Sequence, residues 1–565
     1  MLSYLDLDLQ RAFAALMAPG AMLEVAPVPV ERFGVSLPML VRAPPALPPY
    51  FAHFCAQHGD ATFLVDGEVR LSFAQAYAAA RAAAGGLVGH HRVQPGEFVG
   101  LAARNSANWV VAYMAVLMAG GCATLLNGWW QGTELVEGIR HGPCRLVIAD
   151  DERARRMAGL DHGAELLALQ HGCAPAEGLA ALGSDPAAVL PEPKAGDHAT
   201  MLFTSGSTGK AKGALSDHRG VMQGTMSYIA QTMAVLGAMS QRGFRVERQP
   251  AALVNVPLFH VTGEVPVLLQ SFALGRKLVL MPKWDPVEAM RLIERERITY
   301  FVGVPLMSYE IATHPERDRY DLSSCLTYAA GGAPRPVEHV HRIREALPHG
   351  FPILGYGLTE TNGVGCGNFN ENYLAKPGST GRASPPLVEL AVFNEGGAPL
   401  PQGEVGEIGI RTIANFIGYW GDEAATAAAF TADGFFRTGD LGYLDGDGYL
   451  FIVDRKKDII IRGGENISSA EVEGAIYTHP DVAEASVFAV PDPRLGEVPA
   501  AVFVAKEGRA LAPEGLRTYL AGQLAPFKVP ALIWRVEQPL PRLGTEKVDK
   551  RSLRLRYAAS LRQES

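Results

Sequence analysis

From about Tyr50 onward, apolar runs of strand length alternate with stretches of helical period. Phe98 to Ala102, Arg145 to Asp150, Ala199 to Phe203, Leu253 to Val256, Lys277 to Met281, Tyr300 to Val304, Leu326 to Ala330 and Phe351 to Leu354 read as strands. Ser72 starts an Ala-rich helix that runs through Gly85, with the Ser72 side chain as its N-cap. Asn108 to Ala119 and Pro286 to Arg297 are further helices, and a helix-like apolar stretch follows Pro257-Leu258-Phe259-His260 as far as Leu274. Near-continuous apolar strands separated by helices predict an α/β fold with largely parallel sheets.

The ends of the chain depart from this pattern. Residues 27–49 hold seven prolines, which suits an extended segment wrapped on a surface and not a folded unit of its own. His171 to Gly196 has little periodicity and predicts a surface loop. Beyond Val388 the strands shorten and turns crowd in, as in a β-rich subdomain. Asp445-Gly446-Asp447-Gly448 spells half a calcium loop but lacks its downstream acids, so a hairpin turn is the better reading. The charged cluster Arg455-Lys456-Lys457-Asp458 then precedes a compact α+β unit.

Composition narrows the class. Hydrophobic residues make up 48% and charged residues 19%, as in a globular protein with large cores. A net charge of -8 gives no basic footprint for nucleic acid. The six cysteines are scattered without a C-x-x-C pair and read as buried free thiols. Trp109 to Trp130 carries no charge over 22 residues, but Gly120-Gly121 divides it. A buried helix passing into a buried strand explains that break better than a membrane span. The acidic start, Met-Leu-Ser-Tyr-Leu-Asp-Leu-Asp, is unlike a secretory signal, and a cytoplasmic location is expected.

The chemistry centres on Thr204 to Gly213, T-S-G-S-T-G-K-A-K-G, which follows the strand at Ala199 to Phe203. Its three glycines let backbone N–H groups approach an anion, its hydroxyls donate further bonds, and Lys210 and Lys212 bring positive charge. Ala211 after Gly209-Lys210 excludes a Walker A loop, and two lysines behind a buried strand are foreign to a flexible linker. The strands at Leu326 and Phe351 also end in Gly-rich turns, Gly331-Gly332-Ala333-Pro334 and Gly355-Tyr356-Gly357-Leu358-Thr359-Glu360. Ligands gather at the carboxyl ends of parallel strands, so a nucleotide is expected where these three turns meet.

With Y-G-L-T-E at 356–360, R-T-G-D at 437–440, D-R-K-K-D at 454–458 and P-R-L-G-T-E-K at 541–547, the chain resembles the adenylate-forming superfamily of acyl-CoA synthetases, firefly luciferases and peptide-synthetase adenylation domains. The match runs from about residue 50 to 555. The resemblance implies a large N-terminal domain of stacked, mostly parallel α/β sheets with a β-rich subdomain, then a small α+β C-terminal domain on a hinge. In residues these are a Pro-rich extension at 1–49, a large domain at 50–454 with the subdomain at about 388–454, and a mobile domain at 455–565.

It also implies ATP, Mg²⁺ and CoA. Thr204, Ser205, Gly206, Ser207, Thr208, Gly209 and Lys210 would hold the β- and γ-phosphates. Glu360 would reach Mg²⁺ and Thr359 the α-phosphate. Tyr356, with Gly357, would stack on adenine, and Gly331, Gly332 and Ala333 would line its other face. Asp440 would accept from the ribose with Arg455 in support. Lys547 would bridge the substrate carboxylate and the α-phosphate, Lys457 would be the hinge, and Gly463 and Gly464 would admit pantetheine. Lys547, Thr208, Glu360 and His260 form the implied catalytic set. Two spellings depart from the family: Glu546 stands beside Lys547 where Gly is usual, and Asp454 stands where Gly is common and is expected to be tolerated.

His260 occupies the place where amino-acid-activating relatives carry Asp for an α-amine, which argues against an amino-acid substrate. It reads equally as a substrate residue or a satisfied core histidine. Around it Val261, Val265, Leu268 and Phe272 are apolar, and Val302 with Gly303 adds a second wall where Gly303 leaves room for a chain. A medium- or long-chain fatty acid fits best, an aryl acid next, and loading of a separate carrier protein is the alternative to CoA. Peripheral membrane contact and a homodimer stay open.

Overall fold

The computed structural model describes residues 2–205, 211–243, 245, 248–332, 335–463, 465–542 and 548–563. Two large sheets dominate it. In the seven-stranded sheet, His198–Ser205, Cys122–Leu125, Phe98–Ala102, Leu146–Asp150 and Glu165–Leu169 run parallel, and Ala211–Asp217 and Gly418–Tyr419 extend one edge antiparallel. The nine-stranded sheet has a parallel centre that includes Ala251–Val254, Tyr300–Gly303, Thr327–Ala330 and Phe351–Gly357. The predicted strands are thus present within a few residues, and the helix over Phe73–Gly89 starts from Ser72 with a capping box to Gln75.

The uncharged run is core. Ala107–Met118 is a helix buried on every side, with Trp109 stacked on Tyr113, and the chain passes through Gly120-Gly121 into Cys122–Leu125. Among the described residues no helix is long and apolar enough to cross a membrane. All six cysteines are free, and five are buried.

The N-terminal segment holds more structure than its prolines suggest. Val25–Val30 and Val35–Leu40 form an antiparallel hairpin in which Pro27 faces Pro38. A two-stranded ribbon has only edge strands, so the missing N–H groups of proline interrupt no central ladder. Ahead of it lies an unanticipated helix, Tyr4–Met17, capped by Ser3 and packed on the helix His218–Gln241. Its Asp6 is buried against Arg382, Asn372 and the Tyr449 hydroxyl.

The four-stranded sheet of Glu389–Phe393, Gly406–Arg411, Phe436–Leu444 and Leu450–Arg455 is the predicted β-rich part. Its last two strands join through the 445–448 turn, where Lys376 bridges Asp445 and Asp447. A five-stranded sheet follows, with helices Ser469–Tyr477 and Pro513–Ala521 around a core of Ile460, Val472, Ile476, Val487, Phe503 and Leu516, and with Leu553 and Tyr557 of the helix Lys550–Gln563 packed on Phe488 and Val502 in a second cluster.

Asp454 does more than fit in place of a glycine. It is buried at the end of Leu450–Arg455 and accepts from the Ser468 hydroxyl (3.1 Å), the Ala470 N–H (3.2 Å) and the Arg455 N–H (2.7 Å). The carboxylate therefore ties the subdomain to the first turn of the helix Ser469–Tyr477, where a negative charge is favoured.

Candidate active site

Adjacent parallel strands bring bare backbone together at their carboxyl ends. The Gly331 N–H reaches Gly303 O at 3.4 Å, and a Cβ on Gly331 would lie 3.4 Å from Gly355 O. Gly332 has φ +77°, a left-handed conformation that suits glycine. At Gly357 a Cβ would come within 1.9 Å of Gly363 O, so no side chain fits there.

Between these glycines Tyr356 is half-buried, and its hydroxyl donates to Asp440 Oδ2 at 2.7 Å. Asp440 is 5% exposed, and strand register sets it opposite Arg455, whose Nε is 3.4 Å from Asp440 Oδ1. An aromatic face, a carboxylate and a guanidinium from three strands thus converge, although they lie 84 and 15 positions apart in sequence. Burial, followed by the charge of Asp440, pushes the Tyr356 phenol well above its usual value and keeps it a donor.

The next turn, Thr359–Thr361, places Glu360 at 7% exposure with Thr359 half-buried beside it. Burial raises the Glu360 pKa, while the Tyr419 hydroxyl (2.8 Å to Oε1) and the Arg455 charge pull it back down. Tyr419 comes from Gly418–Tyr419, which pairs with Ala211–Asp217, the strand that follows residues 206–210 in sequence. Lys212 Nζ lies 5.0 Å from the Tyr419 ring centre and 3.1 Å from Asp422 Oδ2. This corrects one expectation: Lys212, on a strand paired with Thr204, is neutralised by Asp422.

Thr204 is half-buried on that strand. Gly206, Ser207, Thr208, Gly209, Lys210, Ala333, Gly464 and Lys547 lie outside the described residues, as does the Ser205 side chain. Lys457 is exposed in the turn between Leu450–Arg455 and Ile460–Arg462, and Gly463 has φ +59° with its N–H bonded to Leu495 O.

His260 is half-buried and its Nδ1 accepts from the Thr262 N–H, capping a short helical turn. Val302 is buried, and Met307 Sδ would lie 2.9 Å from a Cβ on Gly303. The room expected over Gly303 is therefore filled by a thioether. Sequence reasoning missed Tyr419 and Asp422, which carry no motif of their own; only the pairing of their strand with the phosphate-turn strand brings them in.

Residues 51–420 match the family model for AMP-binding enzymes and 471–547 that for the AMP-binding enzyme C-terminal domain. The chain is 34% identical over 469 residues to a feruloyl-CoA synthase of Amycolatopsis sp, covering 82% of this chain and 90% of that one. It is 37% identical over 361 residues to a long-chain-fatty-acid–CoA ligase of Bacillus subtilis, covering 63% and 61%. The fold matches ATP-bound MatB from Rhodopseudomonas palustris with a TM-score of 0.79 at 27% identity, over 90% of this chain and 99% of that one. The chain belongs to the AMP-binding, adenylate-forming enzymes. Within them it is an AMP-forming acid–thiol ligase that joins a carboxylic acid to CoA.

Proposed function

We propose that the acid is an apolar one, a medium- or long-chain fatty acid, and that it reacts through an acyl-adenylate. A carboxylate oxygen bonds to the α-phosphorus of ATP as the bond to pyrophosphate breaks. The CoA sulfur then bonds to the acyl carbon, its proton passes to solvent, and AMP leaves. The observation that carries this reading is the convergence of Tyr356, Asp440 and Arg455 beside the glycine-lined strand ends. Tyr356 presents a face for the purine, with Gly331, Gly332 and Gly357 as bare backbone around it, and Asp440 accepts from the ribose with Arg455 beside it.

Thr204 to Lys210 cradle the β- and γ-phosphates, and Thr359 meets the α-phosphate. Glu360 fits a single contact to Mg²⁺, since its carboxylate is fixed from one side by Tyr419. The ion would neutralise phosphate charge. Lys547 stabilises the charge of the first transition state, Lys457 is the hinge, and Gly463 and Gly464 admit pantetheine. Val302, His260 and the apolar residues around it receive the acyl chain. A cytoplasmic location, where ATP and CoA are drawn on, is part of this reading.

An aryl acid is the second reading, favoured by Met307, which narrows the space at Gly303, and by the likeness to the feruloyl-CoA synthase. The test is CoA-dependent AMP formation over fatty acids of graded length and a set of aryl acids. Highest kcat/KM with fatty acids supports the first reading, and highest with aryl acids overturns it. Lys547→Ala should abolish adenylation and spare thioester formation from supplied acyl-adenylate; loss of both together overturns the assigned roles.

A further inference from the structure

One face of the nine-stranded sheet is incompletely covered. Strand register sets Val302, Ala329 and Ile353 in one row and Tyr300, Thr327 and Phe351 in the next, all on the same face. Tyr300, Thr327, Phe351 and Ile353 keep partial exposure, whereas Val302 and Ala329 on the same face and Phe301, Tyr328 and Pro352 on the opposite one are buried. Tyr228 of the helix His218–Gln241 reaches over from the covering side. Its hydroxyl donates to Gly363 O at 2.6 Å, and a Cβ on Gly363 would lie 3.5 Å from both Tyr228 Oη and Val261 Cγ2. This face therefore leads from the glycine rim beside His260 down to Tyr300. Three residue steps from Gly303 to Tyr300 span about 10 Å.

At the inner end lies Arg276. It is 5% exposed, and its guanidinium sits 4.6 Å over the Tyr300 ring. Nη1 reaches Gln270 Oε1 only at 3.4 Å, and Nε is buried with no hydrogen-bond partner. Among the described residues no carboxylate lies within ion-pair distance of it. Gln270 cannot turn to serve it better, because its amide donates to Tyr228 O and Thr232 Oγ1. Of the other two arginines buried among the described residues, Arg153 pairs with Asp150 Oδ2 at 3.0 Å, while Arg335 has no carboxylate within ion-pair distance and lies 5.7 Å over the Tyr373 ring. A guanidinium taken out of water without an anion is costly, and its planar fork matches a carboxylate.

We propose that Arg276 is a specificity-determining residue at the inner end of the acyl channel, and that the acid carries a second carboxylate at the end remote from the activated one. The substrate is then an apolar-bodied dicarboxylic acid whose far carboxylate takes two hydrogen bonds from Arg276, with the Thr232 hydroxyl at its side. This rests on the acid-activating reading above and narrows it.

The full-length enzyme is assayed for CoA-dependent AMP release with octanoate against octanedioate and decanoate against decanedioate. At matched length the dicarboxylic acid should have the higher kcat/KM by about 100-fold, because a site built for a polar group rejects the analogue lacking it. Arg276→Met should reverse the order, and Arg276→Lys should retain part of the preference. Equal or better turnover of the monocarboxylic acid by the wild type overturns the inference, as does an Arg276→Met variant that lowers both acids by one factor. If Arg276→Met fails to fold by circular dichroism, the wild-type ratio and Arg276→Lys decide. AMP release from monocarboxylic acids alone sinks only this inference; no AMP from any acid sinks the acid-activating reading with it.

Discussion

The Tyr419 hydroxyl holds Glu360 Oε1 at 2.8 Å, so the carboxylate proposed for Mg²⁺ is positioned by the strand that pairs with Ala211–Asp217. Burial lifts the Glu360 pKa, and this hydroxyl is among the groups that pull it back down. Tyr419→Phe removes the donor and leaves the burial. The pKa should rise further, so the acid limb of the pH–rate profile for pyrophosphate release moves to higher pH. The KM for Mg-ATP should rise by about 10-fold, the scale of one hydrogen bond to a charged group. An unmoved acid limb would separate Glu360 from the adenylation step.

Tyr356 and Asp440 are bonded to each other but are proposed to meet different parts of the nucleotide. Tyr356→Phe keeps the aromatic face and loses the hydroxyl's contact to Asp440. Asp440→Ala removes the ribose acceptor and strips Arg455 of its partner. The KM for ATP should therefore rise a few-fold for Tyr356→Phe and about 100-fold for Asp440→Ala. Equal effects would mean that the pair acts only as a structural clasp.

Much of the architecture was legible because buried parallel strands are uniformly apolar: Phe98–Ala102 and its helix neighbours stand out by composition alone. The helix Tyr4–Met17 did not, because Leu5, Leu7 and Leu9 alternate with Asp6 and Asp8 in a period of two. The fold buries Leu5 and Leu9, four apart, together with Asp6, and leaves Leu7 exposed. In the site, Tyr356, Glu360 and Asp440 were legible as members of spaced motifs. The contacts that set their chemistry were not: Tyr419 reaches Glu360 across 59 positions, and neither residue's neighbours encode the meeting.

Asp454 offers a test of how the C-terminal unit is held. Its carboxylate receives the Ser468 hydroxyl and the Ala470 N–H across the segment that contains Lys457. Asp454→Ala leaves the Ala470 N–H without its acceptor, while the Ser468 hydroxyl keeps Val453 O at 2.9 Å, and should cost roughly 2 kcal/mol in urea unfolding. Asp454→Asn keeps one acceptor oxygen and should cost about half as much. Protease cleavage between 456 and 463 should quicken in the same order. A neutral Asp454→Ala variant would show that the helix Ser469–Tyr477 is held by packing alone.

Glu264 predicts a pH dependence of stability independent of catalysis. It is wholly buried beyond the His260 cap, with the Tyr113 hydroxyl on Oε1 at 2.8 Å and no partner on Oε2. Burial raises its pKa from 4.5 to about 7, against the pull of that hydroxyl. Between these values the folded chain holds a proton that the unfolded chain has released. Its contribution to stability is therefore whole below pH 4.5, falls as pH rises, and is gone above about pH 7. The loss is on the order of 3 kcal/mol, from 1.36 kcal/mol per pKa unit. Glu264→Gln keeps the acceptor for Tyr113 and stays neutral, so it should match the wild type in urea unfolding near pH 4.5 and exceed it by that amount at pH 8. A wild type and a Glu264→Gln variant that run parallel across this range would mean the carboxylate is hydrated in solution.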